Sequence, residues 1–174
     1  MRNENLRALL AEAIGTFALV FAGCGAIMVD AKTNQLGHVG VAITFGLVIA
    51  FGIYSVGHVS GAHFNSSVTL AFALSRHFPW SRALGYLAAQ LVGALAAAAL
   101  LRASLGNVAN VGATLPSGSQ GQAFLWELIL TFFLMFVIMA VATDNRAVGE
   151  VAAIAIGGTV GLDAMFAARS QGRR

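Results

Sequence analysis

Along this chain the apolar residues fall in long runs, not in the alternation of a half-buried strand or the narrow stripe of a surface helix. A helix needs about 20 predominantly apolar residues to cross a hydrocarbon core about 30 Å thick. Residues 9–29, 39–56, 83–101, 123–142 and 148–168 qualify, the last least strongly because it is rich in Gly and Ala. Their connections are short enough for one compact bundle, so the chain reads as a single all-α membrane domain over residues 1–174. The first run is too long for a removable signal peptide and lacks a small-residue cleavage site, so it is expected to stay as a span.

Between the second and third runs the pattern changes. GHVSGAHFNSSVTLAF, residues 57–72, sets two histidines, an asparagine and three serines among apolar neighbours. The apolar segment 66–74 is nine residues long, a helical rise of about 14 Å and so half of the hydrocarbon thickness. It can enter the bilayer and return, but it cannot cross. Non-helical backbone at that depth is tolerated only where protein buries it or where it lines a wet cavity, so segment 57–64 is expected to face water. Asn65 stands at the N-cap position of the short helix, where its side-chain oxygen accepts from a backbone N–H and its NH₂ stays free to donate.

The pattern also repeats. EAIGTF at residues 12–17 and ELILTF at 127–132 both place Glu early in an apolar helix, with Thr-Phe four and five positions later. GVAITFGL at 40–47 likewise resembles EVAAIAIGG at 150–158. The reading is an internal duplication, with repeat one over 1–102 and an incomplete repeat two over 122–168. Repeat one holds three spans, an odd number, so the second copy enters from the opposite side as an inverted repeat whose site lies near the midplane. A carboxylate inside a span is costly, so Glu12 and Glu127 are expected to be buried with internal partners.

Composition agrees with the pattern. Hydrophobic residues make up 58% and charged residues 10%, with mean hydropathy +0.80, against about 25% charged in a soluble domain. The net charge of +3 rests on ten basic residues spread over termini and loops, a topology signal and not a nucleic-acid surface. With the N-terminus inside, Arg2, Arg7, Arg76, Arg82 and Arg146 are cytoplasmic against Lys32 and Arg102 outside. A fifth span would carry Arg169, Arg173 and Arg174 to the opposite side, against that rule. Cys24 is the single cysteine, so no disulfide framework exists. His58 and His63 are five apart and lack further ligands, so neither a metal nor a cofactor is expected.

SGAHFNSSVT resembles the SGAHxNPAVT signature of the major intrinsic proteins, the aquaporin and glycerol-facilitator family. EAIGTF in the first span, SVGH before the signature, YLAAQLVGA in the third span and WELILTFFL in the fourth extend the resemblance through Phe166. The family pattern implies six spans plus two half-helices that meet end to end, each capped by the Asn of an Asn-Pro-Ala box. It implies that Asn65, Ser66 and Ser67 form the first box and that the carbonyls of Gly61, Ala62 and His63 are an acceptor ladder. Phe45 and Ala164 would then belong to the narrow selectivity region, and Glu12, Glu127 and His58 would be buried structural groups. The resemblance implies a passive channel and no enzyme: a multi-pass protein of the plasma membrane, surrounded by lipid, passing water and small neutral solutes such as glycerol. A homotetramer with no nucleic-acid partner is the implied assembly.

Two departures qualify this expectation. The box reads Asn65-Ser66-Ser67, without the Pro whose fixed φ suits a helix start, so a modest loss of order is expected with the Asn65 cap intact. Projecting repeat one onto repeat two through Gly46 and Gly157 puts the second Asn at about position 176, past Arg174. The second half-helix and the sixth span are therefore expected to be missing. Ala168-Arg169-Ser170 reads either as a remnant of the second box or as a basic tail, and Arg169 is not credited as the selectivity arginine. The alternative to a channel is a truncated, non-conducting form or an interaction subunit. Phe45 narrows the expected pore and Ala164 widens it, which leaves water and glycerol both open.

Overall fold

The computed structural model describes residues 2–114, 118–143 and 151–167. Its helices are α1 (Arg2–Thr33), α2 (Gly37–Ser60), α3 (Ser66–Leu74), α4 (Trp80–Leu105), a short turn α5 (Ala109–Gly112), α6 (Gln120–Thr143) and α7 (Ala152–Ala167). Among the described residues, α1, α2, α4 and α6 are long and apolar enough to cross a membrane, and they contain the first four runs. Helix α7 has 16 residues, a rise of about 24 Å, and lies within the fifth run. Residues 148–150 and 168 of that run, and Arg146, Arg169, Arg173 and Arg174, lie outside the described residues. Helix α3 has the half-length expected of it.

The outer surface is hydrocarbon: Leu84, Leu74 and Phe124 are 80%, 73% and 71% exposed. Lipid is the solvent such a surface requires, and the chain is an integral, multi-pass membrane protein. Since lipid tails are as apolar as Leu, helices in a bilayer associate through close backbone approach and polar bonds. Both occur here. On α4, Gly93 lies directly over the Ala13 carbonyl of α1, with no room for a Cβ. Between α2 and α7, a Cβ on Gly46 would stand 2.7 Å from the Gly157 carbonyl oxygen, and one on Gly157 would stand 2.5 Å from that of Gly46.

This contact is reciprocal. Gly46 also faces Gly161, while Gly157 faces Ala50, and the two pairs exchange when each residue is replaced by its repeat mate. Mutual contact of equivalent positions is what a two-fold relation demands, so the inverted repeat of the sequence is an axis passing between Gly46 and Gly157.

One face of helix α3 packs into the core. The adjoining Phe64, with Val68 and Phe72 of α3, forms a buried cluster with Ile49 of α2, Ile138 of α6 and Ile156 of α7. Helix α1 packs most widely on α4 and α2, and α6 chiefly on α7. The turn α5 is left-handed, with φ of 46°, 51° and 58° at Ala109, Asn110 and Val111. It lies on α1 where Gly112 approaches the backbone of Cys24.

Adjacent glycines of α7 separate packing from propensity. Gly157→Ala forces backbone apart and is expected to lower stability by about 1–3 kcal/mol. Gly158 has nothing within 4 Å, so Gly158→Ala should be neutral or stabilising by up to about 1 kcal/mol. Thermal unfolding in detergent measures both, and equal effects would contradict the two-fold contact.

Candidate functional site: a re-entrant segment held by a buried carboxylate

Helix α2 ends at Gly61, whose φ of 87° is left-handed and whose N–H donates to the Gly57 carbonyl. This is the usual glycine stop. Ala62 and Phe64 follow, both with φ of 50°, a conformation that costs a residue with a Cβ about 1–2 kcal/mol. Something outside the segment must hold it.

That group is Glu12, fully buried on α1. Its Oε1 accepts from Ser60 Oγ at 2.7 Å and from the His63 N–H at 3.0 Å. Its Oε2 accepts from the Phe64 N–H at 2.8 Å and from Gln90 Nε2 of α4 at 2.9 Å. A carboxylate offers about four lone-pair sites, and here four donors meet them. Carbonyl and N–H point in opposite directions across a trans peptide. Fixing the N–H groups of His63 and Phe64 on Glu12 therefore turns the carbonyls of Ala62 and His63 away from it. The Ala62 N–H, donated to Ser60 Oγ at 3.0 Å, turns the Gly61 carbonyl in the same way.

A second layer completes the clamp. Gln90 Nε2 also donates to Thr69 Oγ1 at 3.0 Å, Thr69 Oγ1 donates to the Asn65 carbonyl at 3.1 Å, and Tyr86 OH donates to the Ser60 carbonyl at 2.8 Å. Because the Thr69 proton goes to Asn65, His63 Nδ1, 3.1 Å from Thr69 Oγ1, is the donor of that pair. The His63 ring packs among Phe72, Phe78 and Tyr86, with Arg82 lying over the latter two rings. The ring of Phe64 fills the space left by Gly15 of α1 and Gly52 of α2. Among the described residues no buried side-chain nitrogen or oxygen lacks a hydrogen-bond partner.

Asn65 is extended, at φ −146° and ψ 131°, and its side chain accepts from the Ser67 N–H at 2.8 Å. This is the N-cap read from the sequence. Ser66, which stands where the family signature has Pro, does something a Pro could not: its hydroxyl donates to Gln90 Oε1 at 3.2 Å. The first turn of α3 is thus tied to the amide that holds Glu12, which offsets the lost rigidity. Ser67 is exposed.

On the other side of Asn65 a cavity of about 880 Å³ opens, lined also by Phe45, Ala164, Glu127, His38 and Asp163. Phe45, Asn65 and Ala164 all border this one cavity. His38 Nε2 donates to the Met165 carbonyl at 2.7 Å, joining the start of α2 to the end of α7. The motifs that contain Gln90, Thr69, Ser60 and Tyr86 assign them no role, and Asp163 and His38 lie outside those motifs. A lone Gln in the alanine-rich α4, or an Asp in α7, was a signal in itself, since polar groups within spans need partners.

Two expectations of burial fail. Glu127 is exposed on the cavity wall, and among the described residues no hydrogen bond reaches it. Burial of Glu12 comes from α4 and segment 60–64 closing over it, whereas α6 packs chiefly on α7 and leaves that side open. His58 is also exposed. It lies in the last turn of α2, beside Arg7 and Arg82 on a smaller cavity of about 500 Å³.

Residues 1–173 match the Major intrinsic protein family, and the chain belongs to that family. It is 49% identical over 164 residues to aquaporin NIP1-1 of Oryza sativa subsp. japonica, covering 93% of this chain and 58% of that protein. To nodulin-26 of Glycine max it is 49% identical over 163 residues, covering 92% of this chain and 60% of the relative. The chain thus spans less than two thirds of the length of these relatives. Among solved structures, the aquaglyceroporin from Plasmodium falciparum superposes with a TM-score of 0.76 at 26% identity, covering 93% of this chain and 71% of that one.

The clamp separates two carboxylates that the sequence repeat equates. Glu12→Ala leaves buried neutral donors without an acceptor and is expected to cost about 1–3 kcal/mol for each that stays unsatisfied, whereas the exposed Glu127→Ala should stay within about 0.5 kcal/mol. Unfolding in detergent distinguishes them. Similar losses for both would contradict the asymmetry.

Proposed function

We propose that the protein forms a passive transmembrane pathway for water and small neutral solutes such as glycerol, with segment 61–65 as its filter. The observation that carries this reading is the Glu12 clamp, which spends the N–H groups of the segment inward and leaves its carbonyls of Gly61, Ala62 and His63 as a ladder of acceptors. Asn65, which borders the cavity, adds its amide NH₂ as a donor at the end of that ladder. Ser66 and Ser67 begin the half-helix, and Phe45 and Ala164 border the opening beside it. A cavity of about 880 Å³ is wide relative to the about 30 Å³ share of one water molecule.

The chemistry of passage is exchange of hydrogen bonds, with no bond made or broken. A neutral molecule moving past the segment gives up bulk partners for carbonyls and the Asn65 amide. The N-terminus of α3 carries about +0.5 charge from its unsatisfied N–H groups, so cations meet an electrostatic barrier there. The kinship with proteins named aquaporin and aquaglyceroporin supports this class of cargo. Assembly as a homotetramer in the plasma membrane belongs to the same reading.

Stopped-flow light scattering of proteoliposomes tests it. Water permeability should exceed that of empty vesicles while proton leak stays at their level. Permeability equal to empty vesicles overturns the channel and favours a non-conducting subunit.

A further inference from the structure

The place of Phe45 beside the cavity depends on a residue of the neighbouring helix. Phe45 lies on α2, half-buried, and borders the cavity together with Asn65 and Ala164. Its ring also sits against α1 at Gly23, which is buried, so closely that a Cβ built there would fall among the ring carbons Cε1, Cζ and Cδ1. The next residue, Gly46, is in backbone contact with Gly157 of α7, which closes that flank of α2. The ring is bounded by the notch in α1 on one side, and the open volume beside it is the cavity. How far the ring sinks into α1 therefore fixes how much of it stands in the opening.

We propose that Gly23 is a specificity-determining positioning residue: its missing side chain lets the Phe45 ring withdraw from the cavity, and a side chain at position 23 drives the ring into it. Gly23 itself touches no solute. It acts through Phe45, and its effect on flux rests on the channel reading above. Gly25, two residues along the same helix, provides a control, because a Cβ there meets only the Leu101 side chain at 3.2 Å.

The test compares wild type, Gly23→Ala, Gly25→Ala, Phe45→Ala and the Gly23→Ala/Phe45→Ala double variant in liposomes, with water and glycerol permeability measured for each. Gly23→Ala should lower the glycerol-to-water ratio on the order of tenfold, the discrimination that one carbon group gives in an apolar site. Gly25→Ala should leave the ratio unchanged, and Gly23→Ala should add nothing once Phe45 is Ala. An unchanged ratio in Gly23→Ala, or a fall that persists without the ring, overturns the proposal. If Gly23→Ala alone does not fold, recovery of folded protein in the Phe45→Ala background supports the contact, and failure there overturns it. If wild-type vesicles are no more permeable than empty ones, the channel reading fails while the positioning claim keeps its own readout. With 4-fluorophenylalanine at position 45, the solvent isotope shift of the ¹⁹F resonance should be larger in Gly23→Ala than in wild type, and equal shifts would overturn it.

Discussion

A fully buried carboxylate with four donors converging on it governs this structure. Glu12 takes two backbone N–H groups from the re-entrant segment, a hydroxyl from the end of α2 and an amide from α4. One side chain on α1 thereby joins four parts of the chain. Removing a charge from water costs several kcal/mol unless the geometry around it is excellent, and the four donors provide that geometry. The dependence runs both ways: Ala62 and Phe64 sit in left-handed conformations that a free segment would leave. The carboxylate holds the backbone in place, and the backbone satisfies the carboxylate.

Polar bonds concentrate where the chain is not regular, and bare contact between small residues does the work where it is. The helices α2 and α7 meet backbone to backbone at Gly46 and Gly157, and α1 meets α4 at Ala13 and Gly93. Large apolar side chains are left mainly to the lipid-facing surface, as Leu84 and Phe124 illustrate. The arrangement inverts that of a water-soluble domain. The interior combines small residues, a polar network, a modest aliphatic cluster around Ile49, Ile138 and Ile156, and aromatic rings, two of which, Phe64 and Phe45, are seated in gaps that glycines provide.

Much of this was legible in the sequence, for definite reasons. A span needs a run of set length, so the first four runs fall within α1, α2, α4 and α6. The length of 66–74 permits only a half-helix, and α3 has those bounds. Asn65 is recognisable as a cap because few residues can accept from a helix start. The equivalence of Gly46 and Gly157 was legible in the repeat, but their contact was not, because only positions near the two-fold axis touch their mates. By contrast, nothing in Glu127 distinguishes it from Glu12: repetition gives equivalent positions, but burial depends on what packs against them, and α4 has no described counterpart beside α6. The Ser66 hydrogen bond to Gln90 was equally hidden, because it depends on two helices meeting at a particular height. The left-handed turn at Ala109–Gly112 has no signal at Ala109 or Val111, whose side chains ordinarily oppose it.

Gly15 and Gly23 make α1 more than a wall. Each receives an aromatic ring, Phe64 at one and Phe45 at the other, and they stand eight residues apart, about 12 Å along the axis. The helix is thus a gauge that fixes the interval between the two rings. A single insertion within that stretch would swing one seat by about 100° around the axis and part it from its ring. Changes of length in α1 are excluded between those two glycines.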